Sequence, residues 1–222
     1  SAKTLRLALA LAAVGYGCKV GLFPLHVWKP DAYSAAPAPV AALLAGAAVA
    51  VPLGALLRFG ALTAGAGQRA FVQELYLAAG LVSVLAATLF CVRERDLRRL
   101  LAFTSVEHMG LCLLAFGLGA DGARGGLMHL VSNGLLKSLA FGLLGFVVAE
   151  RGSADAHAGP GLYGRSNTLA WTFLVVVAAS VGFPPFGIFA SELTVLRTAF
   201  ATGHTGLAVV LLLALMPKGG KP

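Results

Sequence analysis

Two lysines inside otherwise apolar stretches constrain this chain more than any other feature. Lys19 lies within TLRLALALAAVGYGCKVGLFPLHVW, and Lys137 lies within GGLMHLVSNGLLKSLAFGLLGFVV. An ammonium group placed in hydrocarbon costs at least roughly 2.5 kcal/mol, so such lysines occur mainly beside polar partners or hydrated pathways. Apolar surroundings also disfavour the charged form of an amine, which allows a lysine to exchange protons. The sequence therefore predicts a protein that moves charge across a bilayer.

The composition agrees with a membrane protein. Hydrophobic residues make up 58% of the chain, charged residues 12%, and the mean hydropathy is +0.85. A soluble domain would carry about twice that share of charged residues. The formal net charge is +8, but the basic residues fall in short gaps between apolar stretches, as they do in proteins that span a lipid bilayer. We expect no nucleic-acid partner.

Seven apolar segments are long enough, or nearly so, to cross a bilayer, which takes about 20 residues. We therefore expect an all-α, polytopic membrane protein with about seven transmembrane helices in a single transmembrane domain, residues 1–222. The segments cover residues 4–28, 36–59, 71–92, 97–118, 125–149, 168–200 and 203–217.

Glycine and proline interrupt the first and the sixth segment. GLFP stands at residues 21–24 and GFPPFG at residues 182–187. As one straight helix, the sixth segment would extend about 50 Å, which is too long for a single crossing. Paired interruptions, one early and one late, predict two discontinuous helices beside a site in an internally repeated transporter.

The fifth segment carries a polar stripe. His129, Asn133 and Lys137 are spaced i, i+4, i+8, so on a helix they share one face, about a turn apart. Such a stripe must face protein or water, where it can hold a chain of waters and relay protons. The alternative is that these side chains form interhelical hydrogen bonds that only hold the bundle together.

Three carboxyl and imidazole groups complete the candidate set of proton-transfer residues. Glu107 and His108 lie near the middle of the fourth segment, where adjacent residues point about 100° apart and cannot serve the same face. One of them could pair with Lys137 or Lys19 from a neighbouring helix while the other continues the proton path, and the alternative is a static buried ion pair. Glu192 follows the second interruption, where water can reach it. Its alternative is an interfacial glutamate near a helix end.

The stretch FPLHVWKPDAY looks interfacial. His26, Lys29 and Asp31 are expected where the first segment leaves the membrane, with Trp28 and Tyr33 in the aromatic belt.

The sequence contains no candidate site for a cofactor or a metal ion. Its three cysteines, Cys18, Cys91 and Cys112, are scattered in apolar context without a CxxC or Cys/His cluster. It also lacks a Ser/His/Asp set and a phosphate-binding glycine loop. We therefore expect no catalytic residues and no redox chemistry in this chain.

Several long motifs resemble the antiporter-like membrane subunits of respiratory complex I and Mrp antiporters. GYGCKVGLFPLHVWKPDAYSAAPAPVAALLAG is similar to the seventh and eighth helices of that family. DLRRLLAFTSVEHMG, GGLMHLVSNGLLKSLAF and GFPPFGIFASE are similar to the tenth, the eleventh and the broken twelfth helix. The SVEHMG form most resembles the membrane component F of hydrogenase-4 and formate hydrogenlyase-type complexes.

The resemblance implies a fold of about fourteen helices with two inverted repeats, of which this chain would be a piece truncated at both ends. It implies a multi-pass subunit in a bacterial or archaeal cell membrane, where protons are translocated while other membrane subunits of a hydrogenase- or NADH:quinone oxidoreductase-like complex carry out the redox reaction. Alternatives are an Mrp-type cation/proton antiporter subunit, which could carry Na⁺, and a non-conducting structural subunit.

The resemblance also assigns roles to individual residues. Lys19 matches the lysine of the first broken helix, whose glutamate partner belongs to earlier helices of the family. His129 and Lys137 match the central residues of the second half-channel, and Glu192 matches the ionisable position after the second break. Protons would pass along a set of six residues, in an unassigned order and direction: Glu192, Lys137, His129, Glu107, His108 and Lys19. Two departures from the family pattern are Ala50, where many relatives have a lysine, and Lys29, at a usually apolar position.

Overall fold

A computed structural model describes residues 2–157, 162 and 166–215, and nearly all of these residues are helical. The helices are α1 (Ala2–Val20), α2 (Trp28–Ala35), α3 (Ala38–Ala45), α4 (Ala47–Thr63), α5 (Arg69–Arg93), α6 (Leu97–Gly117), α7 (Ala120–Arg151), α8 (Asn167–Ser180), α9 (Gly187–Ala201) and α10 (Thr205–Leu215). The predicted all-α class is confirmed for this part of the chain. The end of the seventh predicted segment, at residues 216–217, lies outside the described residues.

Three helical stretches among the described residues are long and apolar enough to cross a membrane. They are Ala38–Arg93, Leu97–Gly117 and Ala120–Arg151, and α8 and α10 are shorter apolar helices. The first stretch contains two of the predicted segments, which are separated where Ala66 and Gly67 leave the helical conformation. The predicted number of seven crossings remains a prediction.

Both predicted interruptions are present. The first break separates α1 from α2 and the second separates α8 from α9. Each begins at a glycine in the left-handed region, Gly21 at φ +80° and Gly182 at φ +79°. This conformation ends a helix and costs a residue with a Cβ about 1–2 kcal/mol.

The two breaks also share a hydrogen-bond pattern. Leu22 N donates to Gly17 O at 2.9 Å in the first, and Phe183 N donates to Ala178 O at 3.1 Å in the second. In each case the residue after the glycine reaches back five positions, as in a Schellman motif. The chain thus ends α1 and α8 by the same backbone arrangement.

Helix α6 forms the core of the described fold. Its start is capped by Asp96, whose Oδ1 accepts hydrogen bonds from the backbone N–H groups of Arg98 and Arg99. It packs against α5 where two glycines meet, since a Cβ on Gly80 would lie 2.6 Å from Gly110 O. Small residues allow this close approach. On its other side α6 packs against α7.

Helix α7 runs without interruption and ends at Gly152, which is left-handed at φ +73°. It contacts both halves of the second broken helix, α8 and α9, and also α3 and α6. The ring of Phe141 on α7 packs against Tyr33 of α2 at 5.1 Å. Helix α7 thus contacts a helix that follows each of the two breaks.

Candidate functional site

The polar stripe of α7 faces the interior of the protein. His129, Asn133 and Lys137 are buried, and only 1% of the Lys137 surface is exposed. The opposite face carries Val131 and Leu135, and the latter is 70% exposed. In a water-soluble protein the buried face of a helix is apolar and the exposed face is polar. The reverse arrangement in α7 is expected of a helix whose apolar side contacts lipid.

A continuous hydrogen-bonded chain crosses from α6 through α7 to α9. His108 Nδ1 lies 2.9 Å from His129 Nε2, and His129 Nδ1 lies 2.8 Å from Ser191 Oγ. Ser191 donates its single hydroxyl proton to Ile188 O at 2.7 Å. The hydroxyl must therefore accept from His129 Nδ1–H, which makes Nε2 of a neutral His129 an acceptor for His108. This arrangement is a ready path for a proton between two imidazoles.

Glu192 joins the histidine pair at the second break. One ligand atom from each of His108, His129 and Glu192 lies within 4.8 Å of the other two. The carboxyl group packs against the backbone of the break, since a Cβ on Gly182 would lie 3.2 Å from the carboxyl carbon of Glu192. Groups this close can share a proton, and they are also the donor types that bind a metal ion. The sequence placed all three residues in one candidate set, but it did not reveal that they meet at one point, because they lie on three different helices.

Glu107 and His108 face different helices, as their adjacent positions require. Oε1 of Glu107 lies 3.1 Å from Thr88 Oγ1 on α5, whereas His108 points to α7. Both side chains are buried. The structure thus places Glu107 beside the histidine chain rather than within it.

Lys137 binds to the first turns of α6. Its Nζ donates to Thr104 Oγ1 and lies 3.4 Å from Leu101 O. One turn earlier on α7, the Nδ2 of Asn133 is buried without a hydrogen-bond partner among the described residues. A buried amide normally binds a protein group or an ordered water. The face of α7 between His129 and Lys137 therefore lines a polar part of the protein interior.

Lys19 lies apart from the other predicted residues. Its side chain lies on the surface of the described residues. It lines an apolar cavity of about 650 Å³ together with Tyr16, Trp28 and Pro52. The structure therefore brings together Glu107, His108, His129, Lys137 and Glu192, but not Lys19.

The interfacial interpretation of FPLHVWKPDAY is wrong for three of its residues. His26 is 4% exposed, and Lys29 and Tyr33 are fully buried, with Lys29 Nζ 2.9 Å from Val20 O. Helix α2 turns back to pack against α6 after the break, which the apolar pattern alone does not reveal. Asp31 behaves as expected, since its side chain is 72% exposed and pairs with Arg99 at 3.0 Å, and Trp28 is also exposed. One sequence pattern could have indicated the burial of Lys29. Lys29 and Tyr33 are four residues apart, which puts both on one face of a short helix directly after a break.

Residues 1–216 match the protein family described as NADH:quinone oxidoreductase/Mrp antiporter, TM. The chain belongs to this family. The resemblance noted from the motifs of the broken helices is thereby confirmed over nearly the whole sequence.

Relatives and solved structures agree with this membership. The chain is 40% identical over 206 residues to a Hydrogenase-4 component F homolog of Methylacidiphilum infernorum, covering 91% of this chain and 43% of that protein. It is 34% identical over 210 residues to NADH-quinone oxidoreductase subunit N of Parafrankia sp., covering 94% and 40%. A chain of the membrane-bound sulfane sulfur reductase, an archaeal respiratory membrane complex, superposes with a TM-score of 0.87 at 27% identity, covering 98% and 45%.

This member of the antiporter family spans less than half the length of the proteins it matches. Family membership agrees with the apolar helices of this chain and with the fold that it shares with the solved structure.

Proposed function

We propose that this chain is part of a proton-translocating, multi-pass membrane subunit of a hydrogenase- or NADH:quinone oxidoreductase-type complex. The observation that carries the proposal is the buried chain from His108 through His129 to Ser191, which lies on the same helix face as Lys137. The names of the relatives supply the type of complex. Other membrane subunits are the expected partners, and the redox reaction belongs to them.

In this proposal the histidine pair moves positive charge without side-chain rotation. When His108 holds an extra proton, its Nδ1–H bond breaks and an N–H bond forms at His129 Nε2, only 2.9 Å away. His108 becomes neutral and His129 becomes cationic, so the charge advances from α6 to α7. Glu192, within 4.8 Å of both rings, is the neighbouring group that can deliver or accept the proton.

Lys137 controls this transfer electrostatically. Lys137 and His129 repel each other when both are charged, because both lie in a low-dielectric interior. A protonated Lys137 therefore holds His129 neutral, and a neutral Lys137 allows the imidazole to charge. The alternation of the two groups couples proton movement to charge changes elsewhere in the complex.

Lys19 belongs to a separate part of the same function in this proposal. It faces an apolar cavity on the outer side of the described helices, where a carboxylate from another segment or subunit can neutralise it. The arrangement of residues 1–222 as one domain with about seven crossings is part of the proposal.

Lys137→Met in the full-length protein within its complex tests the function. Methionine keeps the length and the apolar stem but cannot bind a proton, so we expect proton translocation to fall roughly 100-fold while the complex still assembles. The measurement is the quenching of a pH-sensitive dye in membrane vesicles driven by the electron donor of the complex. Lys3→Met, at an exposed position of α1, is the matched control and should translocate normally.

The outcome separates the proposal from its rivals. Translocation at the wild-type rate in Lys137→Met would contradict the central role of this lysine and favour a non-conducting structural subunit. Translocation that requires Na⁺ instead of a proton gradient, and is lost in the same variant, would favour an Mrp-type cation/proton antiporter.

A further inference from the structure

Lys29 is a buried cation that the path through α7 does not use. It is fully buried in α2, the second half of the first broken helix. Its Nζ donates to Val20 O at 2.9 Å and lies 5.9 Å from the centre of the Tyr33 ring. In the described part of the chain, no carboxylate lies within 4.0 Å of this ammonium group. Burying an ammonium group with so few polar partners costs free energy, so we expect its position to have a functional explanation.

The first break is shaped around the Lys29 side chain. A Cβ on Gly21 would lie 2.7 Å from Lys29 Cδ, so the glycine leaves room for the lysine stem. Val20 is the last residue of α1, where unpaired carbonyl groups carry partial negative charge. Trp28 Nε1 binds the neighbouring carbonyl of Cys18 at 2.8 Å. The lysine therefore sits at the one end of α1 that favours a cation.

The Tyr33 ring lies 5.9 Å from Lys29 Nζ and 5.1 Å from the ring of Phe141, which is one turn along α7 from Lys137. The two lysines therefore share one part of the interior and repel each other when both are charged. Lys137 is bound by a hydroxyl and a carbonyl group of α6, and Lys29 is bound by the carbonyl end of α1. Each lysine has a place for a proton, but two ammonium groups in one low-dielectric interior raise each other's free energy. Charge on one lysine therefore favours the neutral amine of the other.

The charged side chains of α2 and of the facing start of α6 pair with groups other than Lys29. From α6, Arg99 pairs with the exposed Asp31 in the first turn of the short helix, and Arg98 binds Ser34 O near its end. Within the break, His26 packs against the Phe23 ring and is also repelled by a charged Lys29. The acidic residue of α2 is thus engaged by an arginine.

We propose that Lys29 is a second proton-binding lysine that connects Lys137 with the first break. In the transfer an N–H bond breaks at the ammonium group of Lys137 and one forms at the neutral amine of Lys29, directly or through water. The interior charge is unchanged, and the positive charge moves to the carbonyl end of α1. This proposal rests on the proposed function, since it adds one carrier to the same path.

A helix cap is the competing explanation. A lysine that only neutralises the end of α1 needs a permanent positive charge, whereas a lysine that carries protons must also lose its charge. Arginine separates the two roles, because it keeps the cation but does not release its proton in proteins.

The experiment compares Lys29→Arg and Lys29→Met in the full-length complex by dye quenching in vesicles. We expect both variants to lower the rate of proton translocation roughly tenfold, with Lys29→Arg assembling in wild-type amounts because the cap is retained. Wild-type translocation in Lys29→Arg would overturn the proposal and assign Lys29 to capping. If Lys137→Met loses translocation and Lys29→Arg does not, the proposed function stands and this inference falls. If Lys137→Met translocates normally, the proposed function itself fails.

A second readout follows the charge of Lys29 directly. Solid-state NMR of the complex labelled with ¹⁵N-lysine reports whether each amine is protonated, and the Lys29 signal is identified by its loss in Lys29→Arg. We expect Lys137→Met to increase the protonated fraction of Lys29 at a given pH, because the repelling charge is gone. An unchanged fraction would overturn the link between the two lysines, whatever the transport result.

Discussion

The two broken helices use the same backbone arrangement to hold opposite charges. Each break begins at a left-handed glycine, Gly21 or Gly182, against which an ionisable side chain of the following helix packs. In the first break that side chain is the cationic Lys29, and in the second it is Glu192. The comparison shows that the two breaks have the same backbone geometry. The residue of the following helix determines whether an amine or a carboxyl group packs against the glycine.

The breaks differ in how they reach the centre of the protein. The first is closed by its own helix, since Trp28 and Lys29 bind the last carbonyls of α1. The second is tied to α7 by hydrogen bonds, because Ser191 binds His129. The second break is thus connected to the polar stripe of α7 by hydrogen bonds. The first break interacts with the stripe through the repulsion between the charges of Lys29 and Lys137.

The largest effect is expected at the second break. Glu192→Gln keeps the size and most of the polarity of the side chain but removes its ability to exchange a proton. Proton translocation by the full-length complex should fall about 100-fold, as for the loss of a positioned acid or base. Glu74→Gln, at an exposed position of α5, is the matched control. A wild-type rate in Glu192→Gln would show that the second break serves only the fold.

A smaller effect is expected when either glycine gains a side chain. Gly21→Ala and Gly182→Ala should each lower stability by about 1–2 kcal/mol, because alanine disfavours the left-handed conformation. Thermal unfolding of the purified protein in detergent measures this, with Gly142→Ala as the control, since nothing lies within 4 Å of a Cβ there.

The same pair of variants sharpens the comparison between the breaks. The Gly182→Ala methyl group displaces the carboxylate of Glu192, so it should also slow proton translocation. The Gly21→Ala methyl group meets the stem of Lys29, which can move. Equal stability of Gly182→Ala and Gly142→Ala would contradict the requirement for glycine at the break.

The smallest effect is expected at the outer end of the first break. Asp31→Asn removes the ion pair with Arg99, but the side chains are 72% and 42% exposed. Exposed pairs contribute less than about 1 kcal/mol, so thermal unfolding and proton translocation should change little. A loss as large as that of Lys29→Met would mean that Asp31 is part of the buried path.

Much of the architecture could be predicted from the sequence because it follows from local rules. The spacing of His129, Asn133 and Lys137 places them on one helical face, and the length of a helical residue makes residues 168–200 too long for one crossing. The glycine and proline residues of GLFP and GFPPFG disfavour a continuous helix. The different directions of Glu107 and His108 likewise follow from helical geometry alone.

The partners of these residues could not be predicted. His108 and His129 are 21 positions apart, and His129 and Ser191 are 62 positions apart, so their contact depends on how α6, α7 and α9 pack. The burial of Lys29 could not be predicted for the same reason. It depends on the turn after the first break that packs α2 against α6, and the hydrophobicity of the sequence does not indicate the direction of that turn.

The sequence by itself determined that this protein is helical and membrane-embedded, where its helices break, and which side chains are too polar for lipid. These properties depend on composition and on spacing along the chain. The tertiary structure alone decided that a histidine pair meets Glu192 at one break, that Lys29 occupies the other, and that Lys19 is exposed along an apolar cavity. These properties depend on distances between segments, which only the packing of the helices sets.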